Sequence, residues 1–420
     1  MSSALISSIF SQLSYLLADS YSPSSGEFMN ERLRTKALHL SQQLTTALQK
    51  PADAALELGL LVRYLPGYHV VIILTVVQPT ISMCVRIGVQ LGVFTILAKS
   101  NTPKTAQQLS DETKAEKLLI VRTLRVLATN GTVEEIGMEK YTATPITYAL
   151  AKPAIQAGHI HFWDQYVCSL SKFPQYLEVR GAACPSDPNN GLFQFSHGTS
   201  LESFALWQSK PSVLDNFNTF MEGVRADKPS WVEWFPIQDI ILAGSDPASD
   251  APILVDIGGA RGHDLITFDA RYPQSPGKLV LEDLPAVIDD IRSLDPKIKR
   301  VKYDFFQPQP IKGARVYFFC HIFHCWPDKD CLRILENLRG SMKRGYSKVI
   351  FNELILPDTG CSFYPACLDW VMLGLHASFD RTAGQWKELL ETGGFKIDRI
   401  WMPPGNGNGV IEASVLDDGL

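Results

Sequence analysis

The spacing of apolar residues changes near residue 252, and this change divides the chain into a helical part and an α/β part. Before that point apolar residues recur at helical spacing, as between Ile81 and Leu97, where Gly92 separates one helix from the next. After it, short apolar runs alternate with helical segments, which predicts a mostly parallel sheet with helices on both faces. The clearest predicted strands are residues 253–257, 278–281, 316–319, 348–351 and 410–415.

Within the helical part, residues 105–142 have the pattern of a winged helix. Residues 105–109 and 117–124 predict two helices joined by a turn, and residues 133–142 predict the β-wing. DNA binding is one use of this motif, but an apolar stripe occupies much of the second helix, and the whole chain has a net charge of −5. Because phosphate binding needs a basic face, we expect no nucleic-acid partner.

The length of 420 residues exceeds what one core usually serves, so several domains are expected. We predict an N-terminal helical segment (1–78), a winged-helix domain (79–155), a helical linker and substrate-cavity segment (156–250) and an α/β domain (251–420). The apolar opening at residues 1–19 lacks the basic start of a signal peptide, and the apolar run 70–77 is too short to cross a bilayer. We therefore expect no membrane segment.

Eight cysteines are scattered along the chain, without the paired spacing of a zinc site or the density of a disulfide scaffold. This distribution favours a reducing, cytoplasmic setting. The acidic residues also lack the spacing of a magnesium site, so we expect no metal.

The most informative stretch is residues 254–263, where an apolar strand breaks into a glycine turn that a helix-forming sequence follows. Glycine allows positive φ angles and close backbone approach, and the start of a helix offers unpaired N–H groups. The candidate cofactor residues here are Asp256, Gly258, Gly259 and Gly262. A tight turn without a ligand has the same pattern, so the motifs that follow decide between the two interpretations.

Acidic residues end the next two strand-like segments. Asp283, in the run Glu-Asp-Leu-Pro, is placed where a carboxylate binds a ribose diol, although a helix N-cap is the alternative. Asp304 comes next and is followed by Phe305, whose ring could flank an adenine; a turn-forming role for Asp304 is equally consistent.

The order of four motifs resembles the S-adenosylmethionine-dependent class I O-methyltransferases of plant and fungal natural-product pathways, a family that includes methyltransferase-like pericyclase relatives. These motifs are the glycine loop, Asp-Leu-Pro at 283–285, Asp-Phe-Phe at 304–306 and His-Cys-Trp-Pro-Asp at 324–328. The resemblance runs from about residue 78 to the C-terminus. It implies a Rossmann-like catalytic domain, a winged helix used for homodimerisation, S-adenosylmethionine as cofactor and a small aromatic or polyketide-derived substrate.

The resemblance also assigns the catalytic residues. His324 matches the general base, and Glu353 and Asp380 match the acids that orient it. A neutral imidazole with a pKa near ~6.5 suits proton removal at neutral pH. The predicted acceptor pocket has apolar and sulfur-bearing walls, formed by Trp163, Phe217, Phe220, Met221, Cys325 and Trp370.

Three departures from the family pattern leave a second reaction class open. Ala260 replaces the third loop glycine, Cys320 replaces a Lys or Arg that contacts the cofactor, and Cys325 replaces the Asp or Asn after the histidine. The alternative is dehydration or pericyclic ring closure of a polyketide-derived quinone methide without methyl transfer. Its candidate groups for polarising a carbonyl are His159, His161, Arg225, Lys228 and His321.

A dimer that binds cofactor without catalysis is a third interpretation. The retained catalytic residues favour methyl transfer over both alternatives.

Overall fold

The computed structural model describes residues 3–22, 27–28, 79–226, 230–248, 250–403 and 407–416, and a few single residues between 33 and 44. The chain forms two compact units, residues 1–163 and 164–420. Much of the predicted N-terminal segment, including the apolar run 70–77, lies outside the described residues. Its described part contains helix α1 (Ser3–Ser20) and the short strands β1 (Tyr21–Ser22) and β2 (Glu27–Phe28). The four-segment division of the chain remains a prediction.

The first unit contains the winged helix that the sequence predicts. Its elements are α2 (Pro79–Gln90), α3 (Val93–Lys99), β3 (Lys104–Thr105), α4 (Ala106–Thr113), α5 (Lys117–Thr129), β4 (Val133–Gly137), β5 (Lys140–Ala143), α6 (Pro145–Leu150) and α7 (Pro153–His161). Gly92 separates α2 from α3 and has a φ of +70°, a conformation that costs glycine little. Phe94, Leu124 and Leu127 are completely buried in the core of this unit.

The second unit begins with short helices. They are a π-helix (Phe162–Val167) that straddles the unit boundary, α8 (Cys168–Ser171), α9 (Phe173–Arg180), α10 (Leu192–His197), α11 (Ser203–Gln208), α12 (Pro211–Ala226), α13 (Trp231–Trp234) and a second π-helix (Gln238–Leu242). Helix α12 is amphipathic, yet none of its residues from 211 to 223 is fully buried within the described chain.

The rest of the second unit is a seven-stranded sheet with helices between the strands. Its strands are β6 (Pro252–Ile257), β7 (Lys278–Asp283), β8 (Ile298–Lys302), β9 (Val316–Cys320), β10 (Lys348–Glu353), β11 (Phe395–Trp401) and β12 (Gly409–Val415). The helices are α14 (His263–Arg271), α15 (Pro285–Asp290), a 3₁₀ turn (Phe323–Cys325), α16 (Asp328–Arg339), α17 (Phe363–His376) and α18 (Ala383–Thr392). All five strands predicted from the sequence are present.

The strand order is β11-β12-β10-β9-β6-β7-β8, and only β12 runs against its neighbours. Alternate residues of the central strands point to opposite faces. Tyr317 and Phe319 of β9 pack on the face covered by α16 and α18, whereas Phe318 packs on the other face against Trp231 at a ring distance of 4.6 Å. Both faces are therefore covered, as the continuous apolar runs predict, and the α/β Rossmann-like fold class is confirmed.

Among the described residues, no single helix combines the length and apolar character needed to cross a membrane; the bent pair α2 and α3, at 67° to each other, satisfies those two criteria together. All eight cysteines lie within the described residues and carry free thiols. The cytoplasmic location remains a prediction.

Candidate active site

The candidate site lies where the strand order of the sheet reverses. Strands β6 and β9 are adjacent and parallel, but the chain continues from β6 to β7 on one side and from β9 to β10 on the other. Such a switch point opens a crevice beyond the carboxyl ends of the strands. The loop 258–262 follows β6, and the turn 321–327 follows β9, so the two principal motifs of the sequence meet at this crevice.

The glycine loop has three residues in the left-handed region of backbone space. Gly258, Ala260 and Gly262 have φ angles of +73°, +52° and +79°. A Cβ atom on Gly258 would lie 2.6 Å from Cδ1 of Ile322, so this position requires glycine for space as well as for φ. Ala260 keeps the loop conformation although it departs from the family pattern, at the cost of strain that a glycine there would not have.

Asp283 is tied directly to this loop. Its Oδ2 accepts the N–H of Ala260 at 2.8 Å, and its Oδ1 accepts the N–H of Leu284 at 2.7 Å. Burial raises the pKa of Asp283, and these two hydrogen bonds oppose the rise. The loop contact is therefore present, and the two hydrogen bonds hold the carboxylate beside the loop. The N-cap alternative is not observed, because the N-cap of the helix that follows is Leu284 and no side-chain hydrogen bond caps it.

A second acid, Asp256, lies beneath the same loop. Its side chain is fully buried at the end of β6, and a Cβ atom on Gly259 would overlap its carboxyl group. Asp304 has a different local role, because its Oδ1 accepts the N–H of Phe306 at 2.9 Å in a turn. Phe305 lies 3.9 Å from the position of a Cβ atom on Gly258. The glycine loop and the ring of Phe305 are therefore neighbours. The adenine contacts of Asp304 and Phe305 remain predictions.

The 3₁₀ turn that carries His324 is held by Glu353. The Oε1 atom of Glu353 accepts the N–H groups of Ile322 and Phe323 at 2.9 and 2.8 Å. Glu353 is the last residue of β10 and is completely buried. Because β10 is paired in parallel with β9, the carboxylate reaches the turn that follows β9.

His324 lies between two carboxylates. Its Nδ1 is 3.1 Å from Oδ1 of Asp380 and 3.9 Å from Oε2 of Glu353. A carboxylate can only accept a hydrogen bond, so the Nδ1–H donates to Asp380 and Nε2 is left as the basic nitrogen. Asp380 is itself fixed, because its backbone N–H donates to Oδ1 of Asp369 at 2.9 Å.

Burial by itself lowers the pKa of His324, but the nearby acidic groups of Cys325 and Glu353 and the hydrogen bond to Asp380 outweigh it, so the net pKa is raised. Burial raises the pKa of the Cys325 thiol, which favours the neutral form. We therefore attribute the raised pKa of His324 mainly to the two carboxylates. The imidazole side chain is 15% exposed, enough for contact from the crevice.

Arg381 stabilises the 3₁₀ turn that carries His324. It is almost completely buried and donates to the carbonyl oxygens of Phe323 and Trp326 at 2.8 and 2.9 Å, and to Oδ1 of Asp328 at 2.6 Å. The sequence analysis did not single out Arg381. Its burial shows that it ties the segment after α17 to the histidine turn.

The predicted acceptor wall is brought together in part. Phe217 on α12 packs against Trp207 at a ring distance of 5.1 Å, and Phe220 and Met221 lie half-buried on the same helix. Trp370 is 46% exposed, and Cys325 is buried beside His324. Trp163 belongs to the first unit, so its place in the wall stays a prediction.

The groups named for the alternative reaction are dispersed. His321 adopts a φ of +57°, and its Nε2 accepts a hydrogen bond from Nδ2 of Asn408 at 2.8 Å. His159 and His161 are buried in the first unit. Lys228 and the side chain of Arg225 lie outside the described residues.

One cluster of side chains contains nitrogen and oxygen atoms of the kind that bind metal ions. Single ligand atoms of His321, His324 and Glu353 lie within 4.8 Å of one another. The sequence spacing did not indicate this set, because Glu353 arrives from the neighbouring strand. The expectation of no metal remains untested.

The sequence analysis missed a buried network near the acceptor wall. Oγ of Ser203 donates to Oε1 of Glu202 at 2.6 Å and lies 2.8 Å from Nδ1 of His376. The ring of Phe204 stacks on His376 at 5.0 Å. Glu202 begins α11 as its N-cap, which is the one signal in the sequence that could have located it.

The fold is Rossmann-like, and the glycine loop with Asp283 lies on one side of the switch point and His324 with its two carboxylates on the other. Comparison with known proteins identifies the family. An O-methyltransferase domain matches residues 183–396, and an O-methyltransferase dimerisation domain matches residues 78–153. The chain belongs to the O-methyltransferase family.

Two curated fungal relatives illustrate the similarity. The O-methyltransferase asqD of Emericella nidulans is 40% identical over 339 residues, covering 80% of this chain and 87% of the relative. A demethylsterigmatocystin 6-O-methyltransferase of Aspergillus parasiticus is 29% identical, covering 74% and 79%. Among solved structures, one titled "A Pericyclic Reaction enzyme" has a TM-score of 0.76 and 24% identity, covering 98% of this chain and 99% of that one. At this identity the structural match supports the fold alone.

Proposed function

We propose that this protein transfers a methyl group from S-adenosylmethionine to a hydroxyl of an aromatic or polyketide-type secondary metabolite, with His324 as the general base. The observation that carries the proposal is the 3.1 Å contact from Nδ1 of His324 to Asp380, with Glu353 at 3.9 Å, beside the glycine loop. An imidazole held in one tautomer presents a defined nitrogen to an acceptor hydroxyl. S-adenosylmethionine is the methyl donor of the family to which the chain belongs.

The residues present fit this cofactor. Gly258 and Gly259 let the loop pack closely against Ile322 and Asp256, and hydrogen bonding holds the carboxylate of Asp283 beside the loop. We assign Asp283 to the ribose, Asp304 and Phe305 to the adenine side, and Asp256 with Gly262 to the shape of the loop. When bound, the cofactor supplies a methyl group on a positively charged sulfur that becomes a neutral thioether on transfer.

The protein's own part in the step is to position and deprotonate the acceptor. As the oxygen–methyl bond forms and the methyl–sulfur bond breaks, the hydroxyl proton moves to Nε2 of His324. Asp380 and Glu353 stabilise the resulting imidazolium charge. A phenol, with an ordinary pKa near ~10, needs the least help from such a base, and the aromatic wall on α12 suits a flat acceptor.

The proposal is tested with methyl-labelled S-adenosylmethionine and an extract or pathway intermediates of a fungal host, analysed by mass spectrometry. Wild type should place label in one product, and His324→Ala should abolish that product. Binding of S-adenosylhomocysteine by calorimetry, together with the melting temperature, serves as the folding control. Label incorporation that survives in a folded His324→Ala variant would remove His324 from the role of base.

A second candidate is cyclisation or dehydration without methyl transfer. It draws support from Cys320 and Cys325, which place thiols where the family has a cation and a hydrogen-bonding polar group. In the same assay it predicts an unlabelled product, either an isomer of the substrate or a species lighter by one water.

We also propose that the protein is a homodimer, because residues 78–153 match a dimerisation domain. Within that unit Leu118, Leu119 and Met138 expose 56%, 41% and 95% of their surface. Light scattering after gel filtration at micromolar concentration should give twice the mass of the chain; a monomer would contradict this assembly.

A further inference from the structure

We propose that Arg261 is a positioning residue that couples the cofactor loop to the acceptor-wall helix α12. The proposal rests on the proposed function, since it takes the glycine loop as the cofactor site and α12 as one wall of the acceptor site. It follows from an ion-pair cluster that joins three separate elements of the second unit.

The first end of the coupling is the loop itself. Arg261 lies between Ala260, whose N–H is bound by Asp283, and Gly262, whose φ of +79° opens helix α14. Both neighbours have left-handed backbone angles, so the segment has a specific conformation that sets the direction of the Arg261 side chain. A ligand that fixes the loop therefore also fixes the guanidinium group.

The second end is α12. The Nη1 atom of Arg261 donates to Oε1 of Glu222 at 2.6 Å, and Nη2 donates to Oδ2 of Asp290 on α15 at 3.0 Å. Glu222 directly follows Phe220 and Met221, two predicted wall residues. The guanidinium thus connects the cofactor loop to the part of α12 that faces the acceptor.

At this end of α12, Glu222 has a second contact besides Arg261, because its Oε1 lies 3.9 Å from Nε2 of His263, the first residue of α14. Its residues 211–223 are half-buried or exposed, and Phe217, which packs against Trp207 and Phe204, lies more than one turn before Glu222. The side chains of residues 224–226 are not described. An ion pair that joins this end of the amphipathic helix to the loop can therefore set where that end lies.

The expected effect is modest in size. Arg261 and Glu222 are 39% and 40% exposed, and ion pairs at such exposure contribute little to overall stability, on the order of a twofold to fivefold factor in an equilibrium constant. A factor of that size is enough to shift the position of a helix that samples two arrangements. Because the pair is exposed, high salt should weaken the coupling.

The test is hydrogen–deuterium exchange of the full-length protein, with S-adenosylhomocysteine as the probe. In wild type, saturating probe should slow exchange in the loop 256–262 and also, by roughly twofold to fivefold, in residues 211–223. In Arg261→Met the loop should remain protected, whereas the additional protection of α12 should disappear. Glu222→Gln should behave in the same way, and 1 M salt should remove the α12 protection from wild type.

Lys302→Met is the matched control. Lys302 pairs with Asp289 on the same helix α15 at 2.7 Å, with exposures of 50% and 62%, but it has no contact with the loop through that pair. It should keep the wild-type response. Equal protection of α12 in wild type and Arg261→Met would overturn the coupling.

The two hypotheses fail in different ways. If wild type does not bind S-adenosylhomocysteine by calorimetry, the proposed function fails, and the coupling fails with it. If the probe binds and protects the loop but leaves α12 unchanged in wild type, the proposed function stands and Arg261 has no positioning role.

Discussion

Replacing Glu353 with glutamine tests whether nearby negative charge raises the pKa of His324. Glu353→Gln keeps an amide oxygen that can accept the N–H groups of Ile322 and Phe323, so the turn carrying His324 retains its support. The replacement removes one negative charge from a completely buried site 3.9 Å from Nδ1 of His324. The pKa of His324 should therefore fall, because one of the groups that raise it has lost its charge.

The size of the effect follows from Coulomb's law. Two unit charges 3.9 Å apart interact by about 4 kcal/mol at an effective dielectric constant of 20. Two backbone N–H groups share the carboxylate charge, so the full value is an upper limit. A difference of roughly 1.4 kcal/mol already corresponds to one pH unit. The acid limb of the rate profile should therefore move down, by up to about three pH units.

The assay is the pH dependence of single-turnover methyl transfer with labelled S-adenosylmethionine. In wild type the rate should rise with pH through the raised pKa of His324, since only neutral imidazole accepts the proton. In Glu353→Gln the rise should occur at lower pH, with a lower plateau because the base is weaker. Asp358→Asn, on the surface loop after β10, is a charge-matched control. An unchanged acid limb in a folded Glu353→Gln protein would refute the electrostatic argument.

Three further predictions concern stability and cofactor binding. Gly258→Ala should weaken S-adenosylhomocysteine binding in calorimetry, whereas Gly313→Ala, with a φ of +64° but open space around it, should leave binding unchanged. Ala260→Gly should raise the free energy of unfolding in urea by about 1 kcal/mol, because it relieves a left-handed φ of +52°; an unchanged value would argue against strain. Burial raises the pKa of Glu282 to about 7, so stability present below pH ~4.5 is lost as pH rises to 7, by up to about 3 kcal/mol. Glu282→Gln should therefore raise the melting temperature at pH 8 but not at pH 4.5.

Five of the seven strands of the large sheet could be predicted, because each of them has a recognisable local sequence pattern. Apolar runs such as 253–257 and 316–319 are buried on both faces, and they stand out against the charged helices between them. The strand β8 was not among the clearest predictions. Its sequence, Ile-Lys-Arg-Val-Lys, alternates with charge because it lies at the edge of the sheet, where one side is open to solvent.

The candidate site could be predicted only where function leaves a local motif. His324 and Asp283 stand in recognisable runs, whereas Asp369 was not singled out from the sequence. Its use, accepting the backbone N–H of Asp380, depends on how α17 turns back on the segment after it. The same applies to Ser203 and His376, which are 173 positions apart in the chain and 2.8 Å apart in space. Periodicity and motif spacing describe only local patterns, so they cannot predict a contact between residues so far apart in the chain.

The three departures from the family pattern have different structural consequences, and this difference bears on the choice between the two reactions. Ala260 preserves the left-handed loop and its hydrogen bond to Asp283, so the cofactor loop survives the substitution. Cys320 is buried at the end of β9, where it offers no charge to a ligand. Cys325 is buried beside His324, and its thiol favours the neutral form.

The two cysteines therefore remove polar contacts around a base that is otherwise fully equipped with Glu353, Asp380 and the supporting Arg381. A site that had abandoned proton transfer would have no need to keep two buried carboxylates at 3.1 and 3.9 Å from one imidazole nitrogen, because buried charges are costly unless they interact. A change of acceptor would produce this pattern: the contacts to the ligand at residues 320 and 325 are lost, whereas the charges of Glu353 and Asp380 around His324 are kept. We therefore propose that the departures alter which molecule binds beside His324 and leave the proton-transfer chemistry of methyl transfer in place.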